Sequence, residues 1–346
     1  MTTTVTNDKK SLEVQLSKYM NNAERVFVLC DEHTYANCFP LIEGFLDPSR
    51  AGLIVLPPGE ETKEVNSLSA IWENMLEDQA SRNSLLINLG GGMICDLGGM
   101  AAATFKRGIP FIHVPTSLLA MVDAAFGGKT GINVAGQKNQ AGTFTLAEAT
   151  LVYKDFLQTL PVREKVNGIA EMLKHGVMLS KSHWERVKSL NPSDPEPDAE
   201  LIEASIQLKL SITTSDFRES GERALLNFGH TVGHAIEAWK NEQGERILHG
   251  EAVAAGMIIE ILLARQKNMM SKAEQQEVID VIDYFFPRLE IANEAIEELV
   301  ELMRADKKSY NETVFMALPA SIGSGRAGIE CSEEAIRTAI KNYKTN

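Results

Sequence analysis

The sequence is poor in the features that mark membrane, secreted and nucleic-acid-binding proteins. No apolar run reaches the roughly 18 to 20 residues that a membrane helix needs, and Met1 to Ser11 is polar where a signal peptide would be apolar. Lys and Arg number 34 against 47 Asp and Glu, which gives a formal net charge of -13. We therefore expect no membrane span and no nucleic-acid partner, although a locally basic site can still bind a small anion.

Cysteine is also scarce, and its spacing is uninformative. Cys30, Cys38, Cys95 and Cys331 include no Cys-x-x-Cys pair. Reduced, structural thiols in a cytoplasmic protein are the simplest interpretation.

Length and patterning predict two domains. A chain of 346 residues with 44% hydrophobic residues can fill two cores. In the first half, apolar runs typical of strands alternate with a helical pattern at 68–76, which predicts a parallel sheet covered by helices. The predicted strands are 25–30, 51–56, 84–89 and 112–115.

From about Pro161 onward, helical spacing dominates. The predicted helices are 199–212, 229–239, 251–265, 273–285, 295–303 and 332–343, and the acidic, Pro-rich stretch 191–198 is a predicted loop. The predicted fold is α/β plus α: a Rossmann-like nucleotide-binding domain over 1–160, then a mostly helical metal- and substrate-binding domain over 161–346. We expect the active site in the cleft between them.

A glycine-rich turn follows the third predicted strand. Gly90, Gly91 and Gly92 lead into a helix that also contains Asp96. Glycines there let a ligand approach the backbone, and the free N–H groups of a helix start favour phosphate oxygens. The spacing is not Gly-x-Gly-x-x-Gly, so the alternative of a tight turn without a ligand stays open.

A second glycine segment resembles a P-loop but fails its spacing. Gly127-Gly128-Lys129-Thr130 would end a Walker motif, yet the position of the first required glycine is Asp123. A lysine on a flexible backbone remains, near Asp123 and the pair Lys138-Asn139. This mixture suits an anionic, hydroxylated ligand, and a solvated surface loop is the alternative.

Histidines cluster in the second half of the chain. His230 and His234 are four residues apart and share a helix face, and His249 precedes another helix. Three ligands and an open position make a catalytic zinc site, so these three are the candidates from spacing alone. His-Glu-x-x-His is absent, which disfavours a zinc protease. Helix caps or satisfied core histidines are the alternative.

A charged pair lies in an apolar helical segment. Glu171 and Lys174 are three residues apart and are flanked by apolar residues nearly all round. A surface salt bridge is one explanation. A buried pair would need a further partner, which a metal or a bound anion would supply.

Together these segments resemble the 3-dehydroquinate synthase family. The matching blocks occur in order over about residues 30 to 310: 58–63, 90–99, 107–123, 127–133, 137–139, 159–161, 170–176, 226–234, 249–253 and 306–308. Ten matching blocks in the same order along the chain would not be expected by chance.

The resemblance implies a metal set that differs from the histidine triad. It assigns the zinc ligands to Glu171, His230 and His249, and it leaves His234 beside the metal to assist proton transfer. Cobalt would suit the same ligands.

The resemblance also implies binding residues for NAD and substrate. The cofactor set is Asp31, Glu60, Lys63, Gly91, Gly92, Asp96, Thr116, Ser117, Lys138, Phe156 and Thr159. The implied phosphate contacts are Lys129, Asn139 and Arg107, with Arg107 reaching across a homodimer interface. Lys209 and Arg223 would bind the carboxylate, while Asp123, Lys174 and Asn227 would orient hydroxyls. Lys308 would close over the phosphate, and Lys307 is the alternative in that pair.

The implied chemistry is a cyclisation of 3-deoxy-D-arabino-heptulosonate 7-phosphate to 3-dehydroquinate, as in the shikimate route. NAD oxidises a ring carbinol that zinc polarises, phosphate is eliminated, and the hydride returns. Ring opening and an aldol step then close the carbocycle, so that NAD is recycled.

Several departures from the family pattern remove no catalytic group but bear on loop geometry and substrate closure. Cys95 replaces a small glycine, the stretch 140–144 is a loop without the usual proline downstream, and 309–313 lacks glycines. Three alternatives remain: another sugar-phosphate cyclase such as 2-deoxy-scyllo-inosose synthase, a metal-dependent polyol dehydrogenase that releases NADH, and a non-catalytic relative. Lys209 and Arg223 favour a substrate that carries a carboxylate.

Overall fold

In the computed structural model, which describes residues 2–306 and 313–345, the chain forms two compact units. The first comprises Met1–Pro161 and Asp198–Ile206, and the second comprises Val162–Pro197 and Gln207–Asn346. The division predicted from the sequence, 1–160 and 161–346, placed 198–206 in the second domain. As a division of function it stays a prediction.

The strands are β1 (Thr2–Thr6), β2 (Val26–Asp31), β3 (Ala51–Leu56), β4 (Leu85–Gly90), β5 (Phe111–Pro115), β6 (Lys129–Val134), β7 (Gln137–Phe144), β8 (Ala149–Tyr153), β9 (Thr313–Ser321) and β10 (Ser324–Ser332). The α-helices are α1 (Lys9–Met20), α2 (Glu32–Asn37), α3 (Phe39–Ile42), α4 (Val65–Glu77), α5 (Gly92–Thr104), α6 (Val162–Leu179), α7 (Lys181–Val187), α8 (Ala199–Ser215), α9 (His230–Glu242), α10 (His249–Gln266), α11 (Lys272–Phe285), α12 (Ala295–Asp306) and α13 (Glu333–Thr345).

A six-stranded sheet organises the first unit, in the order β1-β8-β5-β4-β2-β3. All neighbouring pairs run parallel. The central strands β2 and β4 are almost entirely buried, as their continuous apolar runs require in a sheet covered on both faces. The Rossmann-like prediction is confirmed. The four predicted strands are present, whereas β1 and β8 on one side of the sheet were missed.

A polar hairpin interrupts the first unit where the sequence suggested loops. β6 and β7 pair antiparallel, and the turn residues Ala135 and Gly136 have φ values of 51° and 78°. Two consecutive positive φ values match the twist of a two-residue hairpin turn. Two expectations were therefore wrong: Lys129 begins a strand rather than lying on a flexible loop, and 140–144 is strand rather than loop. The exposed, polar side chains of β7 hide its strand character.

The second unit is mostly helical, as predicted, and α8 to α13 match the predicted segments within a few residues. The helix α6 was expected only as a helical stretch around Glu171 and Lys174, and α7 was not predicted. The long helices α6 and α10 are buried over most of their length. An antiparallel hairpin of β9 and β10 adds to them and was not predicted. The stretch 191–198 lies outside regular helix and strand, as expected.

All four cysteines are free and buried, which agrees with their assignment as structural thiols. Burial raises the pKa of Cys30 and Cys38 to about 12. Among the helices in 2–306 and 313–345, none is long and apolar enough to cross a membrane.

Candidate active site

The glycine-rich turn lies at the carboxyl end of β4. Gly91 is the N-cap of α5 and has no side chain to occupy the helix start. A Cβ at Gly91 would lie 3.3 Å from Ser117 Oγ, and one at Gly92 would lie 3.2 Å from Ala124 Cβ. A side chain at either position would crowd these neighbours, so glycine keeps side-chain atoms away from the helix start, where the N–H groups and dipole favour an anion.

The turn also lies where the strand order reverses. From β2 the chain continues to β3 on one side, whereas β4 and β5 lie on the other. Nucleotides bind open α/β sheets at such a switch point, outside the carboxyl ends of the strands. Asp31 ends β2, and its side chain caps α2 by accepting from Thr34 N at 2.9 Å. Thr116 follows β5, where its N–H donates to Gly90 O at 3.0 Å, and Ser117 is its neighbour.

A buried lysine joins several predicted binding residues. Lys63 is 3% exposed, and its Nζ donates to Asp96 Oδ2 at 2.6 Å and to Asn139 Oδ1 at 2.5 Å. Glu60 Oε1 lies 3.6 Å from the same nitrogen. Burial would lower the pKa of Lys63, but Asp96 and Glu60 outweigh it and raise that pKa. Lys63, which pairs with the cofactor candidates Glu60 and Asp96, thus also contacts Asn139, a residue that the family resemblance assigned to the substrate.

Asn133 connects this cluster to the β6–β7 hairpin and was not assigned from the sequence. Its Nδ2 donates to Glu60 Oε1 at 3.1 Å, and its Oδ1 accepts from Asn139 N at 3.0 Å. Asn139 itself has a φ of 55°. Only its place within a matching block pointed to Asn133.

Three further candidates lie on or before the hairpin. Asp123 belongs to a π-helical turn, Ala120–Ala124, and is half-buried. Such turns are rare and occur often at functional sites. Lys129 and Lys138 are exposed on β6 and β7.

The remaining candidates of the first unit lie in short helical turns. Arg107 is exposed and has a φ of 71°, in the turn that follows α5. Phe156 is buried, with its ring centroid 5.2 Å from that of Tyr153. Thr159 is exposed, and its hydroxyl donates to Phe156 O at 3.4 Å.

In the second unit, three side chains converge as a candidate metal centre. Glu171 on α6, His230 at the start of α9 and His249 at the start of α10 offer one ligand atom each, all within 4.8 Å of one another. Glu171 Oε1 lies 3.3 Å from His230 Nε2 and 3.6 Å from His249 Nε2. This is the set implied by the family resemblance.

The other ring nitrogen of each histidine has an oxygen partner. His230 Nδ1 lies 3.1 Å from Phe228 O, and because a carbonyl can only accept, Nδ1 is the donor. Nε2 then offers its lone pair towards Glu171. His249 Nδ1 lies 3.7 Å from Glu237 Oε2, a buried carboxylate on α9. Carboxylate and carbonyl partners orient metal-binding histidines in this way.

A buried carboxylate holds the first turn of α9, which carries His230. Glu260 on α10 is 0% exposed. It accepts from Gly229 N at 2.7 Å and from Val232 N at 3.3 Å. Neither Glu237 nor Glu260 was assigned from the sequence, although each is an acidic residue in an apolar helical stretch.

The electrostatics of the cluster suit a cation. Burial would raise the pKa of Glu171, but Lys174 and His230 hold it well below its usual range. Burial, and then Lys174, lowers the pKa of His230, so that this imidazole is neutral. Burial opposes the charged form of His249, yet the nearby carboxylates of Glu171 and Glu237 raise its pKa to about 9.

The donor set fits a divalent metal. Within the described part of the chain, neither oxygen of the fully buried Glu171 carboxylate accepts a hydrogen bond of good geometry. The neutral His230 Nε2 faces one of these oxygens, so two lone-pair donors are opposed. A bound cation would satisfy both, and one carboxylate with two imidazoles is a typical catalytic zinc set.

Two candidates border this centre. Lys174 is 2% exposed and forms an ion pair with Glu171 Oε2. His234 is exposed, with its ring centroid 5.3 Å from that of His230 and 5.9 Å from that of His249. The three histidines that spacing alone suggested as zinc ligands are therefore neighbours. Glu171, rather than His234, joins His230 and His249 in the group of converging ligand atoms.

The predicted carboxylate-binding residues are buried basic groups. Lys209 is 6% exposed and Arg223 is 3% exposed. Arg223 Nη1 donates to Phe217 O at 2.6 Å. The adjacent turn is organised by Asp216, whose pKa is lowered to about 2 by backbone donors led by Ser220 N.

Asn227 lies at the end of the same 3-10 turn, and its Nδ2 donates to Glu219 Oε1 at 2.7 Å. Lys308 and its alternative Lys307 lie outside the described residues.

Comparison with known proteins identifies the chain. The model of the 3-dehydroquinate synthase N-terminal domain matches residues 53–167, and that of the C-terminal domain matches residues 168–309. A 3-dehydroquinate synthase of Parabacteroides distasonis is 37% identical over 97% of this chain and 96% of its own length. The chain belongs to the 3-dehydroquinate synthase family. Membership confirms the sequence-based prediction of a 3-dehydroquinate synthase and, with it, an enzyme of the lyase class.

Solved structures share the fold of this family member. A 2-deoxy-scyllo-inosose synthase complexed with carbaglucose-6-phosphate, NAD+ and Co2+ superposes with a TM-score of 0.83 at 22% identity, covering 95% of this chain and 94% of its own. A 2-epi-5-epi-valiolone synthase from Streptomyces hygroscopicus with NAD+ and Zn2+ bound gives a TM-score of 0.85 at 24% identity, covering 99% and 96%. At these identities the likeness shows the fold.

Proposed function

We propose that this chain converts 3-deoxy-D-arabino-heptulosonate 7-phosphate to 3-dehydroquinate and phosphate, with NAD and a divalent metal ion as cofactors. The observation that carries the proposal is the convergence of Glu171, His230 and His249 in a chain that belongs to the 3-dehydroquinate synthase family. Structural neighbours that contain NAD+ with Co2+ or Zn2+ support the choice of cofactors.

The first unit would hold the dinucleotide. The open start of α5 at Gly91 and Gly92 suits the pyrophosphate, and Asp31 at the end of β2 suits a ribose hydroxyl. Glu60, Lys63 and Asp96 would complete the site through their shared network. Thr116, Ser117, Lys138, Phe156 and Thr159 are proposed with them from the family pattern.

The metal would be held by Glu171, His230 and His249, and zinc is the first choice. When bound, the dinucleotide supplies a hydride acceptor and the metal ion polarises the carbinol oxygen that is oxidised. The protein's own contribution is to position the substrate, hold its charge and move protons.

Basic residues would recognise the two anionic ends of the substrate. Lys129, Asn139 and Arg107 are proposed for the phosphate. Lys209 and Arg223 are proposed for the carboxylate, since buried cations gain most from a bound anion.

Hydroxyl orientation would fall to Asp123, Lys174 and Asn227. His234 is the proposed proton-transfer group because it adjoins His230 and His249 yet stays exposed.

The decisive experiment mixes the purified protein with zinc, catalytic NAD and the heptulosonate phosphate. Inorganic phosphate and the absorbance of reduced nicotinamide are followed together. Phosphate release over many turnovers without accumulating NADH is expected. Steady NADH accumulation would instead indicate a dehydrogenase, and activity with glucose 6-phosphate alone would indicate 2-deoxy-scyllo-inosose synthesis.

Two broader properties stay proposals. We infer a homodimer in which Arg107 completes the partner's phosphate site, and a cytoplasmic location. Sedimentation would test the first, and R107A mixed with a second inactive variant would test the shared site by restored activity.

A further inference from the structure

One face of α6 contacts the first turn of α10 at three successive levels. Arg163, Asn167 and Glu171 are four residues apart and therefore share a helix face. Arg163 pairs with Glu251, Asn167 with Gly250, and Glu171 with His249. The contact order is thus antiparallel, and it ends at the proposed metal centre.

Of the two contacts outside the metal centre, the one between Asn167 and Gly250 is the more buried. Asn167 is 6% exposed, and its Oδ1 accepts from Gly250 N at 2.6 Å. That N–H belongs to the first turn of α10, where backbone donors have no partner within the helix. The amide Nδ2 donates to Glu164 Oε2 at 3.1 Å, which fixes the orientation of the side chain.

Close backbone approach fixes the register of this contact. A Cβ at Gly250 would overlap Asn167 O and would lie 2.7 Å from Asn167 Oδ1. Only glycine lets the two helices approach so closely. A shift of α10 along α6 would therefore break the hydrogen bond or create a clash.

The outer contact continues the same arrangement at the surface. Arg163 Nε and Nη2 donate to Glu251 at 2.7 and 2.9 Å, and Glu251 Oε2 also accepts from Leu248 N at 2.8 Å. The Arg163 side chain is 61% exposed. An exposed pair of this kind contributes little to stability, so we expect its effect on α10 to be smaller than that of Asn167.

We propose that Asn167 is a positioning residue that holds His249 against Glu171 and so sets the metal affinity of the centre. The inference rests on the metal centre of the proposed function. His249 is the first residue of α10, directly before Gly250, so the Asn167 hydrogen bond fixes the backbone from which the imidazole extends. Small losses of ligand order at a metal centre produce large losses of affinity.

The test is zinc affinity, measured by competition with a chromophoric chelator on the full chain. Asn167→Leu keeps the volume but removes the acceptor, and we expect zinc to bind roughly 10 to 100 times more weakly. The Co2+ absorption spectrum should also change, because it reports ligand geometry. The NAD dissociation constant should stay unchanged, since the proposed NAD residues belong to the other unit.

A double variant provides the matched rescue. Glu164→Gln with Asn167→Asp exchanges the amide and the acid, so the acceptor for Gly250 N, the side-chain contact and the net charge are all kept. We expect zinc affinity within about threefold of the parent. Arg337→Ala serves as the control, because it removes an arginine of α13 that hydrogen-bonds to Glu297 and Glu333 in the same unit.

The outcomes separate the inference from the proposed function. Parental zinc affinity and an unchanged Co2+ spectrum in Asn167→Leu would overturn the positioning role while leaving the metal centre intact. If the parent protein does not bind zinc, or if Glu171→Gln binds zinc as tightly as the parent does, the proposed metal centre is wrong. The positioning role of Asn167 is then wrong as well. Should Asn167→Leu not fold, Asn167→Ala replaces it, since it also removes the acceptor for Gly250 N. Weaker zinc binding than in Arg337→Ala supports the role, and equal binding contradicts it.

Discussion

At the residue scale, the three clustered imidazoles differ in their partners rather than in their chemistry. His230 and His249 each direct one nitrogen at Glu171 and the other at an oxygen, Phe228 O or Glu237. His234 contacts their rings but is not among the converging ligand atoms. Residue type and spacing alone could not separate these roles, because all three lie close together.

Single substitutions should separate ligand from neighbour. We expect His230→Ala and His249→Ala to weaken zinc binding by about 100-fold or more, because each removes a metal ligand. His234→Ala should keep zinc affinity within about threefold and lower kcat by roughly 100-fold or more, as a lost proton-transfer group does. Metal competition and steady-state kinetics measure the two effects. Loss of zinc binding in His234→Ala would instead favour His230, His234 and His249 as the zinc ligands.

A second residue-scale feature is the buried histidine of β5. His113 is 6% exposed, and its Nδ1 lies 3.3 Å from Asn88 Nδ2. Burial lowers the pKa of His113 from 6.5 to about 4. The folded protein therefore keeps this imidazole neutral over a pH range in which the unfolded chain would bind a proton.

The consequence is a pH dependence of stability. Between pH 6.5 and about 4 the unfolded state binds the extra proton, so the free energy of unfolding should fall as the pH falls, by roughly 3 kcal/mol at most from this group. His113→Gln should flatten that slope, while the exposed control His33→Gln should not. Urea unfolding at several pH values, with a chelator present to exclude metal effects, measures the slope. Equal slopes in both variants would contradict the assignment.

At the element scale, the glycines of α5 divide into two kinds. Gly91 and Gly92 leave the helix start open, whereas Gly98 and Gly99 lie against the sheet and the hairpin. A Cβ at Gly98 would overlap Asn88 Oδ1 and lie 2.8 Å from Leu29 Cδ2, and one at Gly99 would lie 2.6 Å from Thr130 Cγ2. One glycine-rich block thus serves both ligand approach and close helix packing.

Substitution of a packing glycine should destabilise the first unit. We expect Gly98→Ala to lower the free energy of unfolding by about 1 to 3 kcal/mol, because the added methyl overpacks the contact between α5 and β4. Gly44→Ala is the control, since a Cβ there meets nothing within 4 Å, and its effect should stay within about 0.5 kcal/mol. Chemical denaturation measures both. A stabilised Gly98→Ala protein would mean that the helix moves aside without strain.

At the scale of the whole molecule, an acidic chain buries basic groups at its candidate sites. The net charge is -13, yet Lys63, Lys174, Lys209 and Arg223 are each at most 6% exposed. Burying a charge is costly unless a partner compensates it. Asp96 compensates Lys63 and Glu171 compensates Lys174, so the net charge of the chain does not reveal the local charge at these positions.

Metal and NAD should each stabilise the folded protein separately. Zinc at about 100 times its dissociation constant adds roughly 2.7 kcal/mol, which corresponds to a rise in Tm of roughly 5 to 10 °C for a unit of this size. Glu171→Gln should abolish the zinc shift and keep the NAD shift. Thermal unfolding with each ligand alone checks this. A zinc shift that persists in Glu171→Gln would place the stabilising metal elsewhere.

Most of the fold followed from local pattern. Continuous apolar runs predicted the buried parallel strands β2 and β4. The helical spacing of apolar residues predicted α10 and α11. Local pattern did not predict the β6–β7 hairpin, because its exposed polar strands lack the apolar alternation on which strand prediction depends. The strand β1 was missed for a similar reason, since Thr2–Thr6 is short and polar.

The sequence by itself determined the family, the order of the motif blocks and the residue types at the site, because these depend only on neighbours along the chain. Only the tertiary structure decided which donors meet. Lys63 contacts Asn139 across the fold, Glu237 supports His249, and Asn167 fixes the start of α10. Each contact joins residues on different elements, and the packing of those elements, rather than sequence spacing, sets the distances between them.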